Sequence, residues 1–293
     1  MIRDHIFVLA QKIMPKKLLS SLVGKLFKIE HFLVKNFLIF SFSKIYNINL
    51  EEAEITDYKK YDSLEKFFSR KLKVKKRPIC ETTNSIIAPA DGKISEIGDV
   101  IKKRGIQAKG QTYSISELLD ISEAQAKTCE FNKIVTIYLA PNNYHRVHMP
   151  IDGELLSVKY VPGDLFSVND VTRKKLTRLY CRNERTILTF RNESFKFCMV
   201  FVGALIVGGI VLSLPMNARN HENQPVSAYM TPKLNYQGNG TKATKGQEIG
   251  YFTFGSTVIF LGSSPLIEWA IGTQNSRPIK MGEQLGLIKT SKT

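Results

Sequence analysis

A chain of 293 residues, 43% hydrophobic and 23% charged, excludes a disordered or fibrous protein and allows one large domain or two around a substantial core. Its 42 basic against 26 acidic side chains leave a net charge of +16, which favours anionic partners: nucleic acid, anionic lipid or an acidic substrate. Cys80, Cys129, Cys181 and Cys198 are scattered without a C-x-x-C pair, which fits neither a zinc site nor a dense disulfide framework and makes a reducing cytoplasm the default.

The N-terminus alternates basic and apolar residues without an unbroken apolar core, so no secretory signal peptide is expected. Residues 1 to about 48 are predicted helical: Leu19, Leu22, Val23, Leu26 and Phe27, then Phe32, Leu33, Phe37 and Phe40, recur at helical spacing. Pro15 is expected to separate a first short helix from a second. Eight basic and two acidic residues fall in 1–50. Aromatics and leucines opposite lysines describe helices that lie in a membrane interface, or equally bundle helices packed on a core. A second helical patch is predicted over 51–70, from Tyr61, Leu64, Phe67 and Phe68. The run 70–77 then holds six basic residues in eight, a solvated linker or a segment drawn to an anionic leaflet. No helix-turn-helix, zinc-finger or RNP pattern supports nucleic acid as the partner.

From Ser85 the texture changes to short apolar strands divided by Gly, Asp-Gly and Asn-rich turns. Pro89-Ala90-Asp91-Gly92-Lys93-Ile94 recurs in outline as Pro150-Ile151-Asp152-Gly153-Glu154-Leu155, and the segment Lys245–Gly250 recurs as Lys280–Gly286. Repeated hairpin elements of this kind predict a pseudo-symmetric, mostly antiparallel β core, a sandwich or partly closed barrel. Cys198 to Leu214 is uncharged, but its glycines, valines and isoleucines suit buried strands better than a membrane-spanning helix. Short helices are expected at Ile115–Asp120 and around 122–131. The fold class expected is α+β, with a helical, basic region suited to membrane association over 1–80 and a β-rich domain expected to carry any catalysis over 81–293.

Three stretches carry chemistry. In Gly250–Gly262 an apolar approach and exit flank Gly255-Ser256-Thr257. Gly-Ser-Thr between strands is ordinarily a turn or bulge. A serine hydroxyl one residue from a glycine carbonyl can instead attack that peptide bond, take the acyl group and eliminate it, leaving a dehydroalanine that hydrolyses to a pyruvoyl group. Tyr144-His145-Arg146-Val147-His148-Met149-Pro150 holds two of only five histidines. On a regular strand His145 and His148 would face opposite sides; in a loop they could converge. Asp91 lies in an Asp-Gly pair typical of a hairpin turn, although Asp, His and Ser in one chain also permit a triad.

Ala88-Pro89-Ala90-Asp91-Gly92, Gln107-Ala108-Lys109-Gly110, the Tyr144–Pro150 segment, Val161–Asn169, Asn183-Glu184-Arg185 and Phe254-Gly255-Ser256-Thr257 resemble, in that order and nearly end to end, the bacterial phosphatidylserine decarboxylases. Phe254 departs from the leucine common in that family, a change expected to need only local repacking. The resemblance implies self-cleavage between Gly255 and Ser256 into a β chain 1–255 and an α chain 256–293, which stay together. Ser256 would become a covalent pyruvoyl cofactor that forms an imine with phosphatidylserine and yields phosphatidylethanolamine and CO2. Asp91 and His148 would complete the triad with Ser256, and His145 would serve decarboxylation. The implied enzyme sits peripherally on the cytoplasmic face of a bacterial membrane, attracted by anionic lipid, needs no metal, and leaves room for a homo-oligomer. Two other functions fit the bare residues: a metal-dependent hydrolase using Asp91, His145 and His148, for which H-x-x-H is a weak signal, and a non-catalytic membrane-surface protein whose Gly-Ser-Thr is only a turn.

Overall fold

The computed structural model describes residues 2–108, 111–205, 209–214, 225–226, 235–237, 240–270 and 277–289. Lys109 and Gly110 of the second motif, and part of the Cys198–Leu214 run, therefore lie outside the described residues.

Three helices open the chain: α1 (Ile2–Ile13), α2 (Lys16–Phe27) and α3 (Phe32–Ile45). Pro15 caps the start of α2, where a missing N–H is harmless, so the expected break falls there. The patch over 51–70 holds only a 3-10 turn at Tyr58–Lys60 and α4 (Leu64–Phe68), whose first turn is capped by Ser63 Oγ accepting from Lys66 N. Inward-facing Ile39 and Phe42 of α3 pack against Tyr61, Leu64, Phe67 and Phe68 in a satellite core. The buried Lys35 ties α3 down, its Nζ donating to the carbonyls of Lys59 and Tyr61 at 2.7 Å each. The outer faces stay apolar: Leu33 and Phe37 are each 69% exposed and Ile13 is 79% exposed. The helices thus pack one face on protein, as bundle helices do, and leave another apolar and open.

The remainder is built from antiparallel sheets. The largest has nine strands in the spatial order Asn235–Gln237, Gly153–Val161, Arg185–Arg191, Lys196–Val202, Ser256–Gly262, Lys133–Leu139, Gly92–Asp99 and Pro278–Ile279, with Lys242–Ala243 also pairing Gly153–Val161. Ser256–Gly262 is central and wholly buried. Its residues alternate between two cores, as a strand covered on both faces must. Val258 and Phe260 join Val147, Met149, Ile249, Phe252 and Leu285 from two smaller sheets. Ile259 and Leu261 join Val8, Leu118, Leu179 and Tyr180 from helices on the opposite face. The result is layered, sheet on sheet with helices behind, and no barrel closes among the described residues. Short helices form at Ile115–Leu119 and Glu123–Cys129, where the pattern places them.

The internal repeat is a real symmetry of hydrogen bonds. Ile87 N donates to Pro150 O at 2.9 Å and His148 N donates to Pro89 O at 2.8 Å. Asp91 Oδ1 accepts from Met281 N, and Asp152 Oδ1 accepts from Lys245 N, the residue before the turn glycine in each half. Those glycines, Gly282 and Gly246, sit at φ +90° and +83°, where a side chain would be strained. By this symmetry Ile87 occupies in one half the place that His148 occupies in the other.

Candidate active site

Ser256 is the first residue of the central strand, and its Cα pairs with Leu139. Its Oγ is buried and has no hydrogen-bond partner among the described residues. An orphaned buried hydroxyl costs on the order of 1–3 kcal/mol and calls for an explanation. Gly255 is not one of the positive-φ glycines, and a Cβ there would meet only Leu139 O at 3.5 Å. Neither backbone angle nor crowding therefore demands glycine at 255. What the missing side chain leaves is an uncovered approach to the bond joining 255 and 256.

His145 lies just ahead of the strand Arg146–His148 and is fully buried. Its carbonyl accepts from Phe252 N at 3.0 Å, and its Nε2 lies 3.0 Å from the carbonyl of Ala140, the residue after Leu139. A carbonyl only accepts, so Nε2 carries the proton and the unpartnered Nδ1 presents a lone pair. Its ring stacks on Phe68 at 4.0 Å, and Phe68 stacks on Phe254 at 4.5 Å. Burial, and then the charge of Arg70, push the His145 pKa down to about 3, so the ring is neutral.

His148 has both ring nitrogens engaged. Nδ1–H donates to Gly246 O at 2.8 Å, and Nε2 accepts from Tyr144 Oη at 3.0 Å. Burial pulls its pKa below the ordinary histidine value, opposed by the Gly246 carbonyl. The ring is thus a neutral base whose lone pair is held by a phenol. Asp91 is buried beside it and accepts from Arg77 Nε at 2.8 and 3.0 Å and from Met281 N at 2.9 Å. Arg77 also binds Glu52 at 2.8 Å. No hydrogen bond joins Asp91 to His148 among the described residues: the backbone bond from His148 N to Pro89 O links their segments, the Asp91 charge favours the His148 imidazolium, and the side chain of each is bound to other partners. Among the described residues no group of three or more His, Cys, Asp or Glu side chains is placed to hold a metal, so Asp91, His145 and His148 do not form a ligand set.

Sequence reasoning missed Tyr144, Gly246 and Arg77 as partners of the site. Tyr144 could have been suspected from its place four residues before His148 in the densest reactive cluster. Arg77 was hidden within the basic run, and both it and Arg70 turn inward, with Arg70 only 4% exposed.

The geometry defines a class: a β-layered chain with a buried serine hydroxyl that has no partner among the described residues, at a Gly-Ser junction, and two buried imidazoles on the segment that pairs with the strand leading into it. A family model described as phosphatidylserine decarboxylase matches residues 64–287, and one described as PSD matches residues 6–47. The chain is 41% identical over 289 residues to the phosphatidylserine decarboxylase proenzyme of Francisella tularensis subsp. novicida, covering 98% of this chain and 99% of the relative. The proenzyme of Francisella philomiragia subsp. philomiragia is 39% identical over 288 residues, at the same coverage. The chain belongs to the phosphatidylserine decarboxylase family.

Proposed function

We propose that the chain is a phosphatidylserine decarboxylase that cuts itself between Gly255 and Ser256 and converts phosphatidylserine to phosphatidylethanolamine and CO2. One observation carries the assignment to these residues: the buried Ser256 hydroxyl has no partner, at the start of the central strand, in a chain whose relatives are named proenzymes. His148 takes the Ser256 proton as Tyr144 releases its Nε2. The charge of Asp91 favours the imidazolium that forms, and the Gly246 carbonyl keeps the ring oriented. Ser256 Oγ then forms an ester with the Gly255 carbonyl as the peptide C–N bond breaks. Elimination leaves Gly255 as a carboxylate and residue 256 as dehydroalanine, and water converts the latter to a pyruvoyl group with loss of ammonia.

The pyruvoyl carbonyl supplies the electron sink for decarboxylation that ordinary side chains lack. His145 serves that reaction: its Nδ1 lone pair accepts a hydrogen bond from the substrate amine and holds it for attack. Phe68 and Phe254 keep that ring dry and in place.

The enzyme works on the cytoplasmic face of a bacterial membrane as a peripheral protein. Support comes from the open apolar faces of α1–α3, the lysines among them and the +16 charge. No helix among the described residues is long and apolar enough to cross a membrane.

The test is denaturing electrophoresis of wild type beside Ser256→Ala. Wild type separates into 1–255 and 256–293, while the variant stays whole at 33.2 kDa and inactive. Full cleavage of the variant at the same bond overturns the mechanism.

A further inference from the structure

Arg70 opens the run that its sequence marks as a solvated or membrane-facing charge patch, yet it is buried just beyond α4. Its Nη2 donates to the carbonyls of Asn142 at 3.0 Å and Asn143 at 3.3 Å, in the turn that leads into His145. Its Nε and Nη1 are buried and have no hydrogen-bond partner among the described residues. Its neighbours are treated differently: Arg77 is neutralised by Asp91 and Glu52, and Arg146 by Glu248 at 2.8 Å. Arg70 has no ion pair among the described residues; besides the two carbonyls it has the face of Phe67, 5.8 Å away, and its charge reaches His145. A buried guanidinium with two unused donor nitrogens is unfavourable unless an anion completes it. Arg70 is also one of the residues around a cleft of about 210 Å³, whose lining holds five cationic residues, Arg70 with Lys60, Lys66, Lys71 and Arg146, against the acidic Glu54 and Asp62.

We propose that Arg70 is a specificity-determining residue that binds the substrate's phosphodiester through Nε and Nη1, with the serine head extending past it towards His145 and residue 256. This rests on the decarboxylase assignment above. The substrate offers two anions, and the chemistry selects between them. An ion pair with the carboxylate would be strongest in the ground state and would fade as its charge departs with CO2, which raises the barrier. The phosphodiester keeps its charge from substrate to product, so holding it leaves the reaction unopposed. The planar guanidinium fork also matches two phosphate oxygens.

The experiment uses the full chain, Arg70→Gln and Arg70→Lys, with monomeric dihexanoyl phosphatidylserine as substrate. Dihexanoyl phosphatidylmethanol, which has the phosphodiester but neither amine nor carboxylate, serves as competitive inhibitor. Loss of a charge-assisted fork on phosphate should raise the KM for substrate and the inhibition constant together, by about tenfold or more for Gln and less for Lys. Equilibrium binding of phosphatidylmethanol to uncleaved Ser256→Ala, with and without the Arg70 substitutions, should weaken by the same factors. That arm needs no processing, so it stays informative if a variant fails to self-cleave and separates this proposal from the one on which it rests. A raised KM with an unchanged inhibition constant overturns the proposal in favour of the carboxylate. Unchanged values in both arms overturn it in favour of a purely structural arginine.

Discussion

His145 and His148 differ in what their neutral rings present, and that difference separates their roles. His148 holds its lone pair against a phenol that can let go, whereas His145 holds a bare lone pair in a dry pocket. His148→Ala should therefore accumulate uncleaved chain, and Asp91→Asn should slow cleavage more mildly because the imidazole remains. His145→Ala should still yield two chains but decarboxylate about 10²–10⁴-fold more slowly. A gel beside an activity assay decides it: normal cleavage by His148→Ala removes the triad, and uncleaved His145→Ala merges the two roles. Burial of His145 also sets a pH dependence. Its folded pKa of about 3 lies below the ordinary 6.5, so between those values only the unfolded chain takes up the proton. Stability is then full above pH 6.5 and falls as the pH drops below it, by about 2 kcal/mol at pH 5 from this one group. Thermal denaturation from pH 7 to 5 should show that slope, flattened in His145→Asn. An equal slope in the variant would assign it to other groups.

At the scale of elements, the helices and the cleavage site form one structure. Phe254, directly before the Gly255–Ser256 bond, packs against Phe27 of α2 at 4.9 Å, Phe42 of α3 at 5.6 Å and Phe68 of α4 at 4.5 Å. Phe254→Leu should repack with little loss. Phe254→Ala should lose about 3 kcal/mol and slow self-cleavage, because the residue that fixes Gly255 would be loose. Melting curves and a processing time course test this, and a wild-type rate in Phe254→Ala would uncouple the helices from the cleavage bond. The sequence disclosed what depends on neighbours along the chain: the break at Pro15, the helix at Glu123–Cys129 and the two Asp-Gly repeats. It could not disclose what depends on distant partners. Arg77 meets a carboxylate 14 residues away and Arg70 meets carbonyls 72 and 73 residues away, so in sequence both look like any solvated charge. For the same reason Asp91 could be proposed as a triad member but its engagement by Arg77 and Met281 could not be foreseen. Gly255 has no positive φ, so its use lies in what it leaves uncovered.

For the whole molecule, two forces act toward a membrane and respond to different perturbations. The net charge of +16 attracts an anionic surface over roughly a Debye length, which shrinks from about 10 Å at 0.1 M salt to about 3 Å at 1 M. The open apolar faces of α1–α3 act by burial, which salt does not screen. Deleting residues 1–48 would confuse the two with folding, because it also strips Phe27 and Phe42 from Phe254. Leu33 and Phe37 avoid that difficulty: they sit one helical turn apart on α3, each 69% exposed, away from its packed face. Leu33→Ser with Phe37→Ser should leave self-cleavage and turnover of a soluble short-chain substrate intact while weakening vesicle binding by about 3 kcal/mol or more, roughly a hundredfold. Raising salt should release part of the wild type from anionic vesicles and nearly all of the double variant, since the variant retains chiefly the screened term. Sedimentation of both proteins with vesicles across a salt series measures this, and a variant that binds as tightly as wild type would move the docking face off α3.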